Sequence, residues 1–304
     1  MFRFQRTIKH NISCEGIGLH TGKPVTMHLK PAPTDTGIVF IRTDLGNAMV
    51  KAIAENTAAT SYATTLSRNN ASISTVEHLL AAFAGLSLDN VYVELDASEV
   101  PIMDGSARQF VRLIAAAGIE TQEKLQPVIK ITTPVFVREG NKQLAIWPAE
   151  KPSISYFIDF NHPLLKEQSL NYRISEESFL REVSDARTFG FLSDVEMLRA
   201  NGLAKGGSMD NAVILGEEAV LNKDGLRYKD EFVRHKILDI IGDLSLAGMP
   251  IIGHIVAHKS GHALNALMID KLLKNPQNWV VLGQTAPAMD EGLYETPAQH
   301  LMAM

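Results

Sequence analysis

Val233, Ile237, Ile240, Ile241 and Leu244 recur at helical spacing and predict a helix over residues 232–244 with one core-facing stripe. His235, Asp239 and Asp243 fall at i, i+4 and i+8, so they line up along the other side with Lys236 beside them. By itself such a stripe is the pattern of a solvated helix face. A third ligand, a base and an acid elsewhere in the chain would turn it into a site.

Upstream, the first third alternates as strands and turns. Gly16, Gly18 and Gly22 around Leu19-His20-Thr21 suggest a nucleotide loop, but the third glycine is out of register for the dinucleotide fingerprint. A strand-like Val25-Thr26-Met27-His28-Leu29 follows instead of a helix, so a turn is expected, with His20 either structural or aimed into a site. Over residues 73–85, Leu79, Leu80, Ala82 and Phe83 are helix-compatible core positions, and Gly85 is the expected stop. Ser74 and Glu77 have capping-box spacing; the competing reading is a carboxylate, Glu77, and an imidazole, His78, held together at a rigid helix start. Residues 90–95 read as a strand, 100–106 as a tight turn and 107–117 as a helix. Glu123-Lys124-Leu125-Gln126-Pro127 then breaks the pattern, which divides the chain into domains 1–126 and 127–304.

The second part returns to strands over residues 128–131, 135–138 and 153–160, with a short helix over 179–183. An insert around 187–222 carries Phe191, Leu192, Val195, Met197 and Leu198 on a short helix ending near Gly202, then a flexible Lys205-Gly206-Gly207-Ser208, then apolar Ala212-Val213-Ile214-Leu215. These surplus apolar residues either fill core or line an apolar ligand channel. A weak repeat links the two parts. His78 and His235 are each followed seven residues on by a glycine, Gly85 and Gly242, then by Leu-Ser-Leu, a strand, and a Gly-x-Ala entering a helix. Gly105 and Gly261 of those last motifs lie 105 − 78 = 27 and 261 − 235 = 26 residues after their histidines. The expected fold class is α+β: two similar domains, each a β-sheet layered with helices, packed face to face with the active site between them.

Composition narrows the chemistry. With 29 basic against 34 acidic residues and a net charge of −5, no broad nucleic-acid footprint is expected, although a local basic site can still hold a small anion. The single cysteine, Cys14, excludes an internal disulfide and a thiolate cluster, so a metal would be held by His and Asp or Glu. Residues 1–6 lack the apolar run of a signal peptide, and no apolar stretch approaches the roughly eighteen residues of a membrane span. A cytoplasmic protein without a transmembrane segment is expected.

His78, His235 and Asp239 meet the requirement of a catalytic zinc, three protein ligands and one open position. Glu77, next to a ligand, is placed to act as base. His262 is a candidate acid for a leaving amine, Asp243 could raise its pKa and fix its tautomer, and Lys236 brings positive charge for an oxyanion or phosphate.

Five motifs in order, Ser74-Thr75-Val76-Glu77-His78-Leu79, Pro101-Ile102-Met103-Asp104-Gly105-Ser106, Ala186-Arg187-Thr188-Phe189-Gly190-Phe191, Arg234-His235-Lys236 through Asp239-Ile240-Ile241-Gly242-Asp243, and Lys259-Ser260-Gly261-His262-Ala263-Leu264-Asn265, give the chain a family likeness. It resembles the zinc-dependent UDP-3-O-acyl-N-acetylglucosamine deacetylases of Gram-negative lipid A synthesis, over residues 16–273. That resemblance implies zinc ligands His78, His235 and Asp239, general base Glu77, a protonated His262 supported by Asp243, and an oxyanion held by Thr188 and Lys236. It implies that Phe191, Leu192, Val195, Ala204 and Ile214 line a passage for the acyl chain and that Phe160 stacks on uracil. It also implies one Zn2+ per chain, with Fe2+ able to replace it in the cell, a UDP-linked acylated amino sugar as substrate, and hydrolysis of its N-acetyl group to acetate. Residues beyond about 280 match no motif and read as a mobile tail, through which a regulatory protease could act. Two alternatives stay open: a metallo-amidase on another acylated amino sugar, and a non-enzymatic module with a structural metal.

Overall fold

Alternation along the strands builds two five-stranded sheets with the same topology. In the computed structural model, which describes residues 3–283, the first sheet runs Ile12–Ile17, Pro24–Pro31, Val91–Leu95, Ile38–Arg42, Ala48–Lys51. The second runs Val135–Glu139, Lys142–Trp147, His254–His258, Ser153–Ile158, Gln168–Arg173. In both, two antiparallel pairs form first, and the fifth strand then inserts between them, antiparallel to the second strand and parallel to the third. A parallel neighbour needs a crossover helix, and each half supplies one.

In the first half the crossover is α1 (Glu77–Gly85), and α2 (Arg108–Ala117) follows the fifth strand. The second half adds α3 (Glu176–Ser178) and α4 (Leu192–Ala200) before its crossover α5 (Glu231–Leu244), and α6 (His262–Lys274) follows the fifth strand. The weak sequence repeat is therefore a repeat of topology. Val25, Met27, Leu29, Val91, Val93 and Leu95 point inward from the first sheet, and Leu144, Ile146, Ile154, Tyr156, Ile158 and Ile255 from the second. The two crossover helices α1 and α5 pack on each other where the halves meet. Their approach depends on Gly242: a Cβ there would lie 2.0 Å from the Glu77 carbonyl oxygen and 3.1 Å from Ala81 N.

Three expectations need correction. Ser74 and Glu77 form no capping box: Val76 occupies the cap position and no side chain caps α1. Thr75 takes a left-handed φ of 57°, which turns Ser74 away to the Ser98 carbonyl and leaves Glu77 free to face the interior. A β-branched residue is strained there; its hydroxyl donates to Glu99 at 2.9 Å, which anchors it. Gly85 ends α1 as expected, without a left-handed φ. The expected tail begins too early, because Trp279–Leu282 is a strand paired antiparallel with Val128–Ile131; residues 284–304, the rest of that tail, lie outside the described residues.

The glycine-rich Lys205-Gly206-Gly207-Ser208, expected to be flexible, is pinned to the turn after Ile12–Ile17. Lys205 N donates to the His20 carbonyl at 3.3 Å and Gly206 N to Leu19 O at 3.0 Å. That turn takes its anion from within the chain: the Glu99 carboxylate accepts from His20 N, Thr21 N and the Thr21 hydroxyl.

Candidate metal centre and acid–base pair

Contact between α1 and α5 sets His78, the second residue of α1, against His235 and Asp239, one turn apart on α5. The imidazoles meet edge to face with centroids 4.9 Å apart. His235 Nε2 lies 3.2 Å and His78 Nε2 3.6 Å from the same oxygen, Asp239 Oδ1. One ligand atom from each residue fits within 4.8 Å of the others, and all three residues are buried.

This arrangement fits a cation. His235 Nδ1 is 3.0 Å from the Ala186 carbonyl, which only accepts, so Nδ1 carries a proton and Nε2 is the ring atom turned to Asp239 and left to hold a cation. Asp239 Oδ1 has no hydrogen-bond partner, and neither has His78 Nδ1. Burial alone would push the Asp239 carboxyl up, but His235 and Lys236 hold it well below the usual range; burial pushes the His78 imidazole down. Both shifts favour the deprotonated forms that bind metal.

Glu77 and His262 face each other next to this cluster, with Glu77 Oε1 4.0 Å from His262 Nε2. The Glu77 carboxylate is raised to about 7, chiefly by burial and further by the Asp243 and Asp239 charges, while His262 opposes the shift. His262 is driven the other way: burial lowers it, yet Asp243 and the Glu77 and Asp239 charges together raise it to about 9. His262 Nδ1 donates to Asp243 Oδ2 at 2.8 Å, and Asn265 Nδ2 donates to the same oxygen at 2.8 Å. His262 opens α6, where the helix dipole disfavours an imidazolium. Asp243 is the local charge that keeps it protonated.

Lys236 Nζ donates to Asp239 Oδ2 at 2.5 Å, and although burial lowers it, Asp239 together with Tyr156 and Asp243 raises its pKa above the usual lysine value. Burying these charges costs several kcal/mol per ion. Val233, Ile237, Ile240 and Leu244, buried on the same helix, offset it at roughly 1.5–3 kcal/mol each.

Thr188 is held by its backbone: its N–H donates to Gly105 O at 2.7 Å and its carbonyl accepts from Val213 N at 2.8 Å. Gly105 has φ 78°, and a Cβ there would meet the Asn211 carbonyl oxygen at 2.0 Å, so the turn in Pro101-Ile102-Met103-Asp104-Gly105-Ser106 admits no side chain at that point. An Arg227–Asp104 ion pair at 2.9 Å braces it across the two halves.

Among the apolar candidates, Phe160 packs with Phe189 at 5.8 Å and Phe191 at 6.0 Å between centroids. Ile214 lies in Val213–Leu215, which runs parallel to Phe189–Phe191 and pairs Ile214 with Gly190. Leu192 and Val195 are on α4, which has no buried residue. Ala204 has a left-handed φ of 51°, and its N–H meets His20 Nδ1 at 3.4 Å.

The family model for UDP-3-O-acyl N-acetylglycosamine deacetylase matches residues 5–274. The chain belongs to this family. Relatives named UDP-3-O-acyl-N-acetylglucosamine deacetylase occur in Syntrophus aciditrophicus (strain SB), 50% identical over 277 residues, and in Myxococcus xanthus (strain DK1622), 50% identical over 279 residues. These alignments cover 91% of the chain and 88% and 89% of the respective relatives. A third, from Geobacter sp. (strain M21), is 48% identical over 288 residues, 94% of each chain. Among the described residues no helix is long and apolar enough to cross a membrane.

Two residues at this site received no role in the sequence reading. Asn265 sits three residues after His262 on α6, so helical spacing could have flagged it. Thr64 lies in a loop with no periodicity, and only the folded chain brings its hydroxyl to Asp243 Oδ1 at 2.6 Å.

Proposed function

We propose that the chain is a zinc-dependent amidohydrolase that removes the N-acetyl group of UDP-3-O-(3-hydroxyacyl)-N-acetylglucosamine, giving acetate and UDP-3-O-acyl-glucosamine, the committed step of lipid A synthesis. The observation that carries it is the convergence of His78, His235 and Asp239 on one point beside the facing pair Glu77 and His262. The substrate comes from the relatives that share about half of all residues with the chain.

Two imidazoles and a carboxylate suit Zn2+, with Fe2+ a second candidate in the cell. When bound, the ion supplies Lewis acidity that activates water and polarises the acetamide carbonyl. Glu77, near neutrality, takes the proton from the attacking water as the new C–O bond forms. His262, held protonated by Asp243, delivers a proton to nitrogen as the C–N bond breaks. Lys236 and Thr188 steady the negative oxygen that develops between those events. Phe160 stacks on the uracil, and Phe191, Leu192, Val195, Ala204 and Ile214 receive the acyl chain. The same reading divides the chain at 126/127, places the reaction in the cytoplasm where nucleotide sugars are made, and leaves the segment beyond 283 as the handle for a regulatory protease.

The test is acetate release from the UDP-linked 3-O-acyl sugar, compared with the same sugar lacking the acyl chain and with one lacking UDP. Loss of rate on both truncated compounds is expected. Equal turnover of an acylated amino sugar without UDP would assign the site to a different substrate.

A further inference from the structure

Thr64 uses all three of its polar groups at the centre of the site. Its N–H donates to Glu77 Oε2 at 3.0 Å, its carbonyl accepts from Val76 N at 3.3 Å, and its hydroxyl donates to Asp243 Oδ1 at 2.6 Å. Only 2% of the residue is exposed, so it does not face substrate. The first two bonds are local, since Thr64 and Glu77 are 13 residues apart. The third crosses from the first half to the second over 179 positions.

We propose that Thr64 is a positioning residue that locks the general base and the acid's carboxylate into one frame, its hydroxyl tuning how strongly Asp243 holds the proton on His262. This rests on the acid and base roles proposed above. An ionised carboxylate only accepts, so the Thr64 hydroxyl must donate. Asp243 then receives three donors: Thr64 on one oxygen, and Asn265 and His262 on the other. Each donor shares the carboxylate's charge. Removing the Thr64 hydroxyl leaves Asp243 Oδ1 without it, concentrates charge on the oxygen facing His262, and makes the imidazolium harder to deprotonate. It also frees Asp243, and through it His262, to move relative to Glu77. The other groups around His262 are Glu77 and His78 from α1 and Asp239 from α5; the substitution changes none of them.

The test compares the pH dependence of kcat/KM, and kcat and KM separately, for the metal-loaded full chain as wild type, Thr64→Val, Thr64→Ala and Thr64→Ser. Val keeps the shape and the backbone bond to Glu77 while deleting the hydroxyl; Ala deletes it without a branched methyl, should Val not fold. Both should move the alkaline limb upward and lower kcat by on the order of tenfold with KM unchanged, consistent with mispositioning of a general acid. Ser should restore the wild-type profile. Alkaline limbs in Val and Ala that coincide with wild type would overturn the proposal while leaving the acid–base reading intact. A flat wild-type profile would remove that reading, and the role of Thr64 with it.

Discussion

Of the 14 residues of α5, 12 are buried, whereas none of the nine residues of α4 is. Both helices carry candidate functional residues, so the contrast shows how each kind is supported. On α5 the proposed ligands His235 and Asp239 are fixed by close packing on both sides of the helix, with Ala186 and Lys236 taking the polar atoms that face away from the cluster. A metal site needs its ligands pre-positioned, and a densely packed interior supplies that. On α4, Leu192 is 50% exposed and Met197 46%. Such a surface is unfinished as core and suits a flexible apolar ligand, which would cover it on binding. Substitutions in α5 should therefore damage metal binding, chemistry and stability together, and those in α4 should touch substrate alone.

The largest effect is expected from Asp239→Ala. It removes a proposed ligand and leaves the half-buried Lys236 without its partner, so turnover should fall by orders of magnitude, metal content should drop, and stability should fall by about 1–3 kcal/mol. Metal analysis and denaturant unfolding check the two parts separately. Next is His262→Ala, which should cost about 10²–10⁴ in kcat at near-normal metal content. The wild-type profile fixes the sign. Activity should rise as Glu77 ionises through about 7 and fall as His262 loses its proton through about 9, and the variant should lose the alkaline limb. Gly242→Ala should destabilise by about 1–3 kcal/mol through overpacking against the Glu77 carbonyl, visible as a lower Tm. The smallest effect falls on α4: Leu192→Ala should change stability by no more than about 0.5 kcal/mol while raising KM for the acylated substrate, and a large loss of Tm would erase the contrast between the helices.

How much of this was legible in the sequence follows the same division. Helical spacing alone aligned His235, Asp239 and Asp243, and the repeated Gly and Leu-Ser-Leu offsets pointed to two equivalent halves, because period and spacing survive in one dimension. The solvated-face reading of α5 failed because a second helix covers that face, and a single helix pattern cannot show its neighbour. The capping box failed because Thr75 adopts a left-handed conformation that its residue type disfavours and that Glu99 helps to hold. Thr64 carried no signal, since its partner is 179 residues away. The proposed acyl-passage residues had composition without periodicity, and α4 gives the two it carries, Leu192 and Val195, no buried frame.

Metal content and acetate release measured side by side on wild type, Glu77→Gln and Asp239→Asn test the centre of the account most directly. It predicts about one metal per chain in wild type, the same metal with activity lost by orders of magnitude in Glu77→Gln, and loss of both in Asp239→Asn. Wild-type turnover in Glu77→Gln, or undiminished metal in Asp239→Asn, would contradict it.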